Sequence, residues 1–155
     1  MGVASLKKKQ SREHAEPLAL EFMTRVPTET ILAGSLRRGA VEVGDIDLVA
    51  VGLFPKEIEG ATFISGGDVM RTYLYKGTQV NVMIAKPDAV GAMLLYATGS
   101  GGFGSMLRVK AARRNQKLNR YGLFDRDTGE LIAATSEEEI FAAMGKRFYP
   151  PGERS

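Results

Sequence analysis

The sequence contains no cysteine and a single histidine among its 155 residues. Without cysteine, the chain can form neither disulfides nor thiolate metal sites. It also lacks a signal peptide and any apolar run long enough to span a membrane, so we expect a soluble cytoplasmic protein with no membrane partner. Apolar residues make up 44% of the chain and charged residues 25%, which is typical of a globular protein with one sizeable core.

Acidic residues are absent from residues 89–124, although the net charge of the whole chain is only +3. Basic residues accumulate in this segment: Arg108, Lys110, Arg113, Arg114, Lys117 and Arg120. Such a local excess of positive charge favours binding to a polyanion. The alternative is a solvated basic face of a helix.

Two aspartates stand close together in GDIDLVAV, a stretch whose alternation and aliphatic content predict a strand. Asp45 and Asp47 would project from one face, roughly 7 Å apart at the backbone, while Ile46 and Leu48 pack on the other. Paired carboxylates suit Mg²⁺, which binds protein oxygens together with substrate phosphates. Taken alone, Asp-x-Asp equally fits a half-exposed strand with a polar outer face.

The segment just before this strand, LAGSLRRG, offers groups that bind phosphate. Backbone N–H groups at the Gly34 turn, the Ser35 hydroxyl and the guanidinium groups of Arg37 and Arg38 could surround negative oxygens. A tight turn with two solvated arginines is the alternative. Anion-binding donors and cation-binding carboxylates in one short unit indicate a site for a Mg²⁺-nucleoside triphosphate.

The chain reads as an α+β protein with a sheet-containing part, residues 1–88, and a smaller C-terminal lobe, residues 89–155. In the first part a helix over residues 6–26, capped at Ser11, precedes strands in ETILAGS, DIDLVAV, GATFISG, RTYLYKG and TQVNVMIA. We expect these strands to form an antiparallel or mixed sheet with helices on one side.

In the second part Asp88 is a candidate cap for a helix through AVGAMLLYA, and the glycine-rich GSGGFGS would separate it from a helix in SMLRVKAARRNQ. A hairpin around residues 127–129 and a helix from Ser136 to near Gly145 complete the lobe. Gly99, Gly101 and Gly104 match a dinucleotide-binding pattern, but the segment before them looks helical rather than extended, so we interpret them as a turn.

Three segments together resemble the family X DNA polymerases of the DNA polymerase beta type, within the nucleotidyltransferase superfamily. They are GSLRRGAVEVGDIDLV, then LLYATGSGGFGSMLRVKA, then KLNRYGLFDRDTG with EEEIFAAMGKRFYPPGERS. Their order and spacing match across most of the chain. The resemblance implies a nucleotidyltransferase palm followed by a thumb-like C-terminal lobe, as in the smallest viral members of the family.

The resemblance also implies roles for particular residues. Asp45 and Asp47 would hold two Mg²⁺ ions, or Mn²⁺ in their place. The nucleotide-binding residues would be Gly34, Ser35, Arg38, Gly44, Tyr96 and Gly99. The DNA-binding residues would be Arg108, Lys110, Arg113 and Tyr121. The partners would be a deoxynucleoside triphosphate and a primer-template or gapped DNA duplex, bound by a monomer.

The chain departs from the family pattern at its third catalytic carboxylate, where Asn81 stands. The amide is either native or an introduced near-isosteric replacement. Nucleotide binding should survive this change, whereas the chemical step should be impaired, because the amide lacks the charge that helps deprotonate the primer hydroxyl. Gln79 replaces the arginine that partners this carboxylate in the family. Ala97 replaces a bulky aromatic residue after Tyr96, and Gly101 and Gly104 replace polar residues.

We therefore expect a template-directed DNA polymerase of the short gap-filling repair type. Two alternatives stay open: a non-catalytic module that binds nucleotides or DNA ends, and a minimal nucleotidyltransferase with another acceptor.

Overall fold

The computed structural model describes residues 9–155, so the predicted start of the first helix before residue 9 lies outside the described residues. The helices are α1 (Arg12–Met23), α2 (Gly34–Arg37), α3 (Val90–Thr98), α4 (Gly101–Arg113) and α5 (Glu137–Ala143). The strands are β1 (Gln10–Ser11), β2 (Thr30–Leu32), β3 (Glu42–Val43), β4 (Ile46–Val51), β5 (Ala61–Gly66), β6 (Met70–Tyr75), β7 (Thr78–Ala85), β8 (Gln116–Asn119), β9 (Gly122–Asp125) and β10 (Leu131–Ala133). This mixture confirms the α+β class.

A five-stranded mixed sheet with the order β2-β4-β7-β6-β5 forms the larger layer. Its central pair, β4 and β7, is parallel, and the other pairs are antiparallel. The hairpin between β6 and β7 turns through Lys76 and Gly77, both with positive φ, as a two-residue hairpin turn requires. The mixed sheet predicted from the alternating strands is thus present.

Helices cover both faces of this sheet, so the expectation of helices on one side was wrong. On one face α1 packs Phe22 against Leu48 and Val82 within the largest hydrophobic cluster. On the other face Met93 of α3 packs against a second cluster that includes Val49. Because side chains alternate along a strand, the fully buried Leu48 and Val49 of β4 both need an apolar cover.

A three-stranded antiparallel sheet, β10-β9-β8, packs with α4 and α5 to form the C-terminal part. The hairpin predicted around residues 127–129 joins β9 to β10. Helix α5 begins after Ser136, whose hydroxyl accepts a hydrogen bond from the Glu139 amide, as is typical of an N-cap serine. The boundary at residue 88 stays a prediction, since α3 contacts both the five-stranded sheet and α5.

Three predicted helix boundaries differ in the structure. Helix α1 spans only Arg12–Met23, whereas the predicted helix included residues 9–11 and ran to residue 26, because Gln10–Ser11 instead pairs with β3. Asp88 does not cap α3: it lies in a short 3₁₀ turn, Pro87–Ala89, and the residue before α3 is Ala89. The glycine-rich stretch is not a linker either, because α4 already begins at Gly101. The Ser100 hydroxyl accepts a hydrogen bond from the Phe103 amide and so caps the helix, whose first turn contains these glycines.

Over residues 9–155, none of the helices has the length and apolar character needed to cross a bilayer.

Candidate functional site

A cavity of about 590 Å³ opens between strands β4 and β7 and helices α3 and α4. Residues singled out from the sequence that line it are Gly34, Ser35, Arg38, Asp47, Asn81, Tyr96, Gly99 and Arg108. These residues come from β4, β7, α2, α3, α4 and the turn between α3 and α4. The fold therefore brings together the Gly-Ser segment, the acidic strand and the second glycine turn, which are far apart in the sequence.

Gly34 sits against the carboxylate of Asp47. Its φ is +59°, and a Cβ atom built on it would lie 2.2 Å from Asp47 Oδ2. The Ala33 amide also donates to the Asp47 carbonyl oxygen over 2.9 Å. Only glycine fits this position, since it tolerates the left-handed backbone and leaves space for the acid. The start of α2 is thereby fixed directly beside the acidic strand.

Asp45, Asp47 and Asn81 form one polar cluster at the parallel pair β4 and β7. Asn81 is in register with Asp47. Its Nδ2 atom donates to Asp47 Oδ1 over 3.0 Å and lies 3.3 Å from Asp45 Oδ2. Asp45 therefore belongs to the cluster although it does not line the cavity. All three side chains are half-buried.

The oxygen of the Asn81 amide points the other way. Asn81 Oδ1 accepts hydrogen bonds from Gln79 Nε2 at 3.0 Å and from the Thr72 hydroxyl at 3.2 Å. Gln79 Nε2 also lies 3.5 Å from Asp45 Oδ2. Within residues 9–155, no group of three or more acidic, histidine or cysteine side chains is placed to hold a metal ion.

The two arginines that follow Ser35 hold the glycine turn between α3 and α4. Arg38 Nη1 donates to the Thr98 carbonyl oxygen over 2.6 Å, and Arg37 Nη1 donates to the Thr98 hydroxyl over 2.9 Å. Gly99 has a φ of +67°, and a Cβ atom there would lie 3.2 Å from Arg38 Nη1. Arg38 therefore lines the cavity, whereas Arg37 turns away from it.

Arg37 belongs to a buried ion cluster that joins three distant segments. Glu137, at the start of α5, accepts hydrogen bonds from Arg37 at 2.7 and 2.8 Å and from Arg154 at 2.7 and 3.2 Å. Burial of the Glu137 carboxyl opposes its ionisation, but the hydrogen bonds from Arg37 and Arg154 outweigh burial, so its pKa is lowered. The motifs did not indicate this cluster, because its members are separated by 17 and 100 residues.

Basic side chains line the opposite side of the cavity. Arg120, between β8 and β9, lies with its guanidinium carbon 4.5 Å from the ring centroid of Tyr96, and its Nη2 donates to the Tyr96 hydroxyl over 3.0 Å. Arg108 lines the same space from α4, and Nη2 of its guanidinium donates to the Ser105 hydroxyl over 3.1 Å. Arg120 was noticed only as part of the basic segment, and no motif pointed to its place beside Tyr96.

Other residues predicted as site residues lie outside the cavity lining. Lys110 faces Lys146, and the pKa of Lys110 is lowered because its neutral amine can accept a hydrogen bond from the Lys146 ammonium, whereas two ammonium groups repel. Tyr121 is half exposed, and its backbone N–H donates to the Asn119 side chain. Arg113 ends α4, and Gly44 directly precedes Asp45. The roles of all these residues stay predictions.

The chain is similar to known polymerases over most of its length. A family model described as DNA polymerase beta thumb matches residues 93–155. The repair DNA polymerase X of African swine fever virus (isolate Pig/Kenya/KEN-50/1950) is 26% identical over 158 residues, covering 88% of this chain and 90% of the viral protein. Human DNA-directed DNA/RNA polymerase mu is 33% identical over 91 residues, covering 58% of this chain.

The DNA polymerase/3′-5′ exonuclease PolX of Bacillus subtilis (strain 168) is 28% identical over 131 residues, covering 77% of this chain. The present chain spans only 23% of the length of that protein and 18% of human polymerase mu. These similarities, together with the residues that surround the cavity, show that this chain resembles the family X DNA polymerases.

Proposed function

We propose that this chain is a template-directed DNA polymerase of the short gap-filling repair type, which transfers a nucleotide from a deoxynucleoside triphosphate to a primer 3′-hydroxyl. The observation that carries the proposal is the cavity in which Gly34, Ser35 and Arg38 adjoin Asp47. Similarity to family X DNA polymerases supports polymerase chemistry, and similarity to the repair DNA polymerase X of African swine fever virus supports repair. The cavity of the present chain joins groups suited to an anion with groups suited to a cation.

The residues that would hold Mg²⁺ or Mn²⁺ are Asp45 and Asp47. Their carboxylates are hard oxygen donors, and Gly34 leaves room beside Asp47 that a Cβ atom would fill. A bound divalent ion supplies charge stabilisation to the phosphate oxygens. The donor set fits one ion but not a second, because Asn81 turns its nitrogen toward the two carboxylates.

The remaining residues bind and orient the substrate. Ser35 and Arg38 would donate hydrogen bonds to the triphosphate, with Arg38 held in place by the Thr98 carbonyl. Tyr96 and Gly99 would face the sugar and base. The basic residues of α4 would contact the DNA backbone, which predicts binding that weakens as salt rises.

The amide at position 81 should make the chemical step slow. It carries no charge with which to promote loss of the primer hydroxyl proton. Removing one well-placed electrostatic partner from a transition state costs about 3 kcal/mol. Such a cost corresponds to a rate lower by roughly two orders of magnitude.

Primer extension on a DNA duplex with a one-nucleotide gap tests the proposal. We expect little extension by the wild-type chain with Mg²⁺ or Mn²⁺, and a rate about 100-fold higher for Asn81→Asp. The matched control is the double variant Asp47→Asn with Asn81→Asp, which has the same net charge as the wild type but should gain nothing. A lack of gain in Asn81→Asp would remove position 81 from the catalytic set.

A second candidate function is a non-catalytic module that binds nucleotides or DNA ends. The observation that favours it is the Asn81 amide hydrogen-bonded into the acidic cluster. Tight binding of gapped DNA by a chain whose Asn81→Asp variant still does not extend a primer would establish this second function.

A further inference from the structure

We infer that Asn81, Gln79 and Thr72 form an amide clasp, which bridges Asp45 and Asp47 in the absence of metal and limits the site to a single divalent cation. This inference rests on the proposed nucleotide site and goes beyond it, because it specifies how many cations the site holds. It also departs from the two ions that the family resemblance implies.

The clasp follows from the register of the sheet. Asn81 lies opposite Asp47 on one side and opposite Thr72 on the other, since β7 pairs with both β4 and β6. Gln79 precedes Asn81 by two residues and so shares its face of β7. The sheet thus places one amide between two acids and two neutral polar side chains.

Every hydrogen-bonding group of the Asn81 amide has a partner in this arrangement. Its nitrogen contacts oxygens of both aspartates, at 3.0 and 3.3 Å. Its oxygen accepts from Gln79 and from Thr72, at 3.0 and 3.2 Å. An asparagine side chain has two donors and two acceptor sites, and all four are used here.

The two acids fix the direction of the amide. Turning it over would place the Asn81 oxygen against the carboxylates of Asp45 and Asp47, where acceptor would face acceptor. The inward nitrogen instead supplies one N–H for each acid, and hydrogen bonds to charged acceptors are stronger than neutral ones. In the metal-free protein the clasp therefore performs the bridging that a cation performs between two carboxylates.

A second cation would need a third oxygen ligand at this point. Asn81 can offer its oxygen only after rotation, which breaks its hydrogen bonds to the two acids and to Gln79 and Thr72. The amide would also bring no negative charge to offset the repulsion between two neighbouring divalent ions. A single ion avoids both problems. The charged oxygens of Asp45 and Asp47 bind it directly, so Asn81 need not rotate and no second cation repels it.

The same geometry predicts that stability depends less on metal than it would with three carboxylates. Three carboxylates at positions 45, 47 and 81 would repel one another until a cation binds, whereas two carboxylates bridged by an amide do not need one. We therefore expect Mn²⁺ to raise the thermal midpoint of the wild-type chain only by the amount that one bound ion supplies. We expect the midpoint of Asn81→Asp to be lower in EDTA and to rise on addition of Mn²⁺.

The decisive experiment counts Mn²⁺ ions by electron paramagnetic resonance, in the presence of gapped DNA and a non-hydrolysable α,β-imido deoxynucleoside triphosphate. We expect about one bound Mn²⁺ per chain for the wild type and about two for Asn81→Asp. Two ions in the wild type, or one ion in both proteins, would overturn the inference.

Gln79→Met provides a second test that retains Asn81, in case Asn81→Asp does not fold. Loss of the Gln79 donor removes one support of the inward amide, so a second Mn²⁺ should bind to this variant at concentrations at which the wild type holds one. A count of one Mn²⁺ in both proteins over the same concentrations would contradict the clasp. If Mn²⁺ binds with the expected counts but neither Asn81→Asp nor the wild type extends a primer, the proposed polymerase activity fails while the clasp stands.

Discussion

Replacing Glu137 by glutamine tests whether the buried ion cluster fixes the C-terminal part of the chain. The substitution keeps the shape of the side chain and removes its charge, leaving Arg37 and Arg154 without their carboxylate. Breaking a buried ion pair by removing one partner costs 3–5 kcal/mol. The Arg154 side chain is 0% exposed and cannot reach water, whereas that of Arg37 is 20% exposed and can be partly rehydrated.

Because Arg37 can be partly rehydrated, we expect the variant to lose about 3 kcal/mol of the free energy of unfolding, the lower end of the range for a broken buried ion pair. For a chain of this size the loss corresponds to a fall in the thermal midpoint of about 6–12 °C. Urea denaturation followed by circular dichroism measures the free energy directly, provided that the slope against urea is unchanged. Glu138→Gln is the matched control, because it makes the same chemical change at the next residue of α5, where the side chain is exposed.

The control should change the free energy of unfolding by less than about 0.5 kcal/mol. Equal small effects for the two variants would refute the reasoning, since they would mean that Arg37 and Arg154 find other partners or water when the carboxylate is removed.

Three further predictions address the site and its surroundings. Gly34→Ala should weaken Mn²⁺ binding at least about tenfold, measured by calorimetry, because the added methyl displaces the Asp47 carboxylate from a backbone that already has positive φ. Lowering the pH below about 4.5 should reduce the difference in stability between wild type and Glu137→Gln, because a carboxyl with a lowered pKa stabilises the fold above its unfolded pKa and loses that contribution as acid protonates it. Lys110→Gln should weaken binding to gapped DNA and reduce the salt dependence by about one unit, measured by fluorescence anisotropy; unchanged dependence would place Lys110 and Lys146 away from the DNA.

The sheet was predictable because its strands carry strong local patterns. TQVNVMIA alternates between polar and apolar residues up to Val82, and β7 spans the same residues, Thr78–Ala85. The position of Thr72 was also within reach: a two-residue turn at Lys76 and Gly77 sets Tyr75 opposite Thr78, which in turn sets Thr72 opposite Asn81. The pairing of Thr72 with Asn81 was nevertheless not among the predictions.

Helix α4 shows where local pattern was misleading. Glycine has a low helix propensity, so GSGGFGS reads as a linker. The capping serine at Ser100 and the burial of Phe103 outweigh that propensity in the structure. The Ser100 cap was a readable signal, whereas the apolar partner that covers Phe103 depends on tertiary packing.

The acidic strand and its glycine turn were visible as motifs, but the direction of the Asn81 amide was not. That direction depends on two acids and two neutral side chains that only the paired strands bring together. The partnership of Glu137 with Arg37 and Arg154 is similarly a product of the three-dimensional fold, since no local pattern joins residues so distant in the chain.

The burial of Arg154 has a practical consequence for anyone who attaches a label near it. Its guanidinium lies 5.4 Å from the rings of both Phe141 and Phe148, and its carbonyl oxygen accepts a hydrogen bond from the Ser100 amide beside the cavity. A purification tag or fluorophore attached at Ser155 would therefore begin one residue from a contact with the turn that lines the cavity. A flexible spacer would protect that contact, while a short rigid dye could report on what enters the cavity.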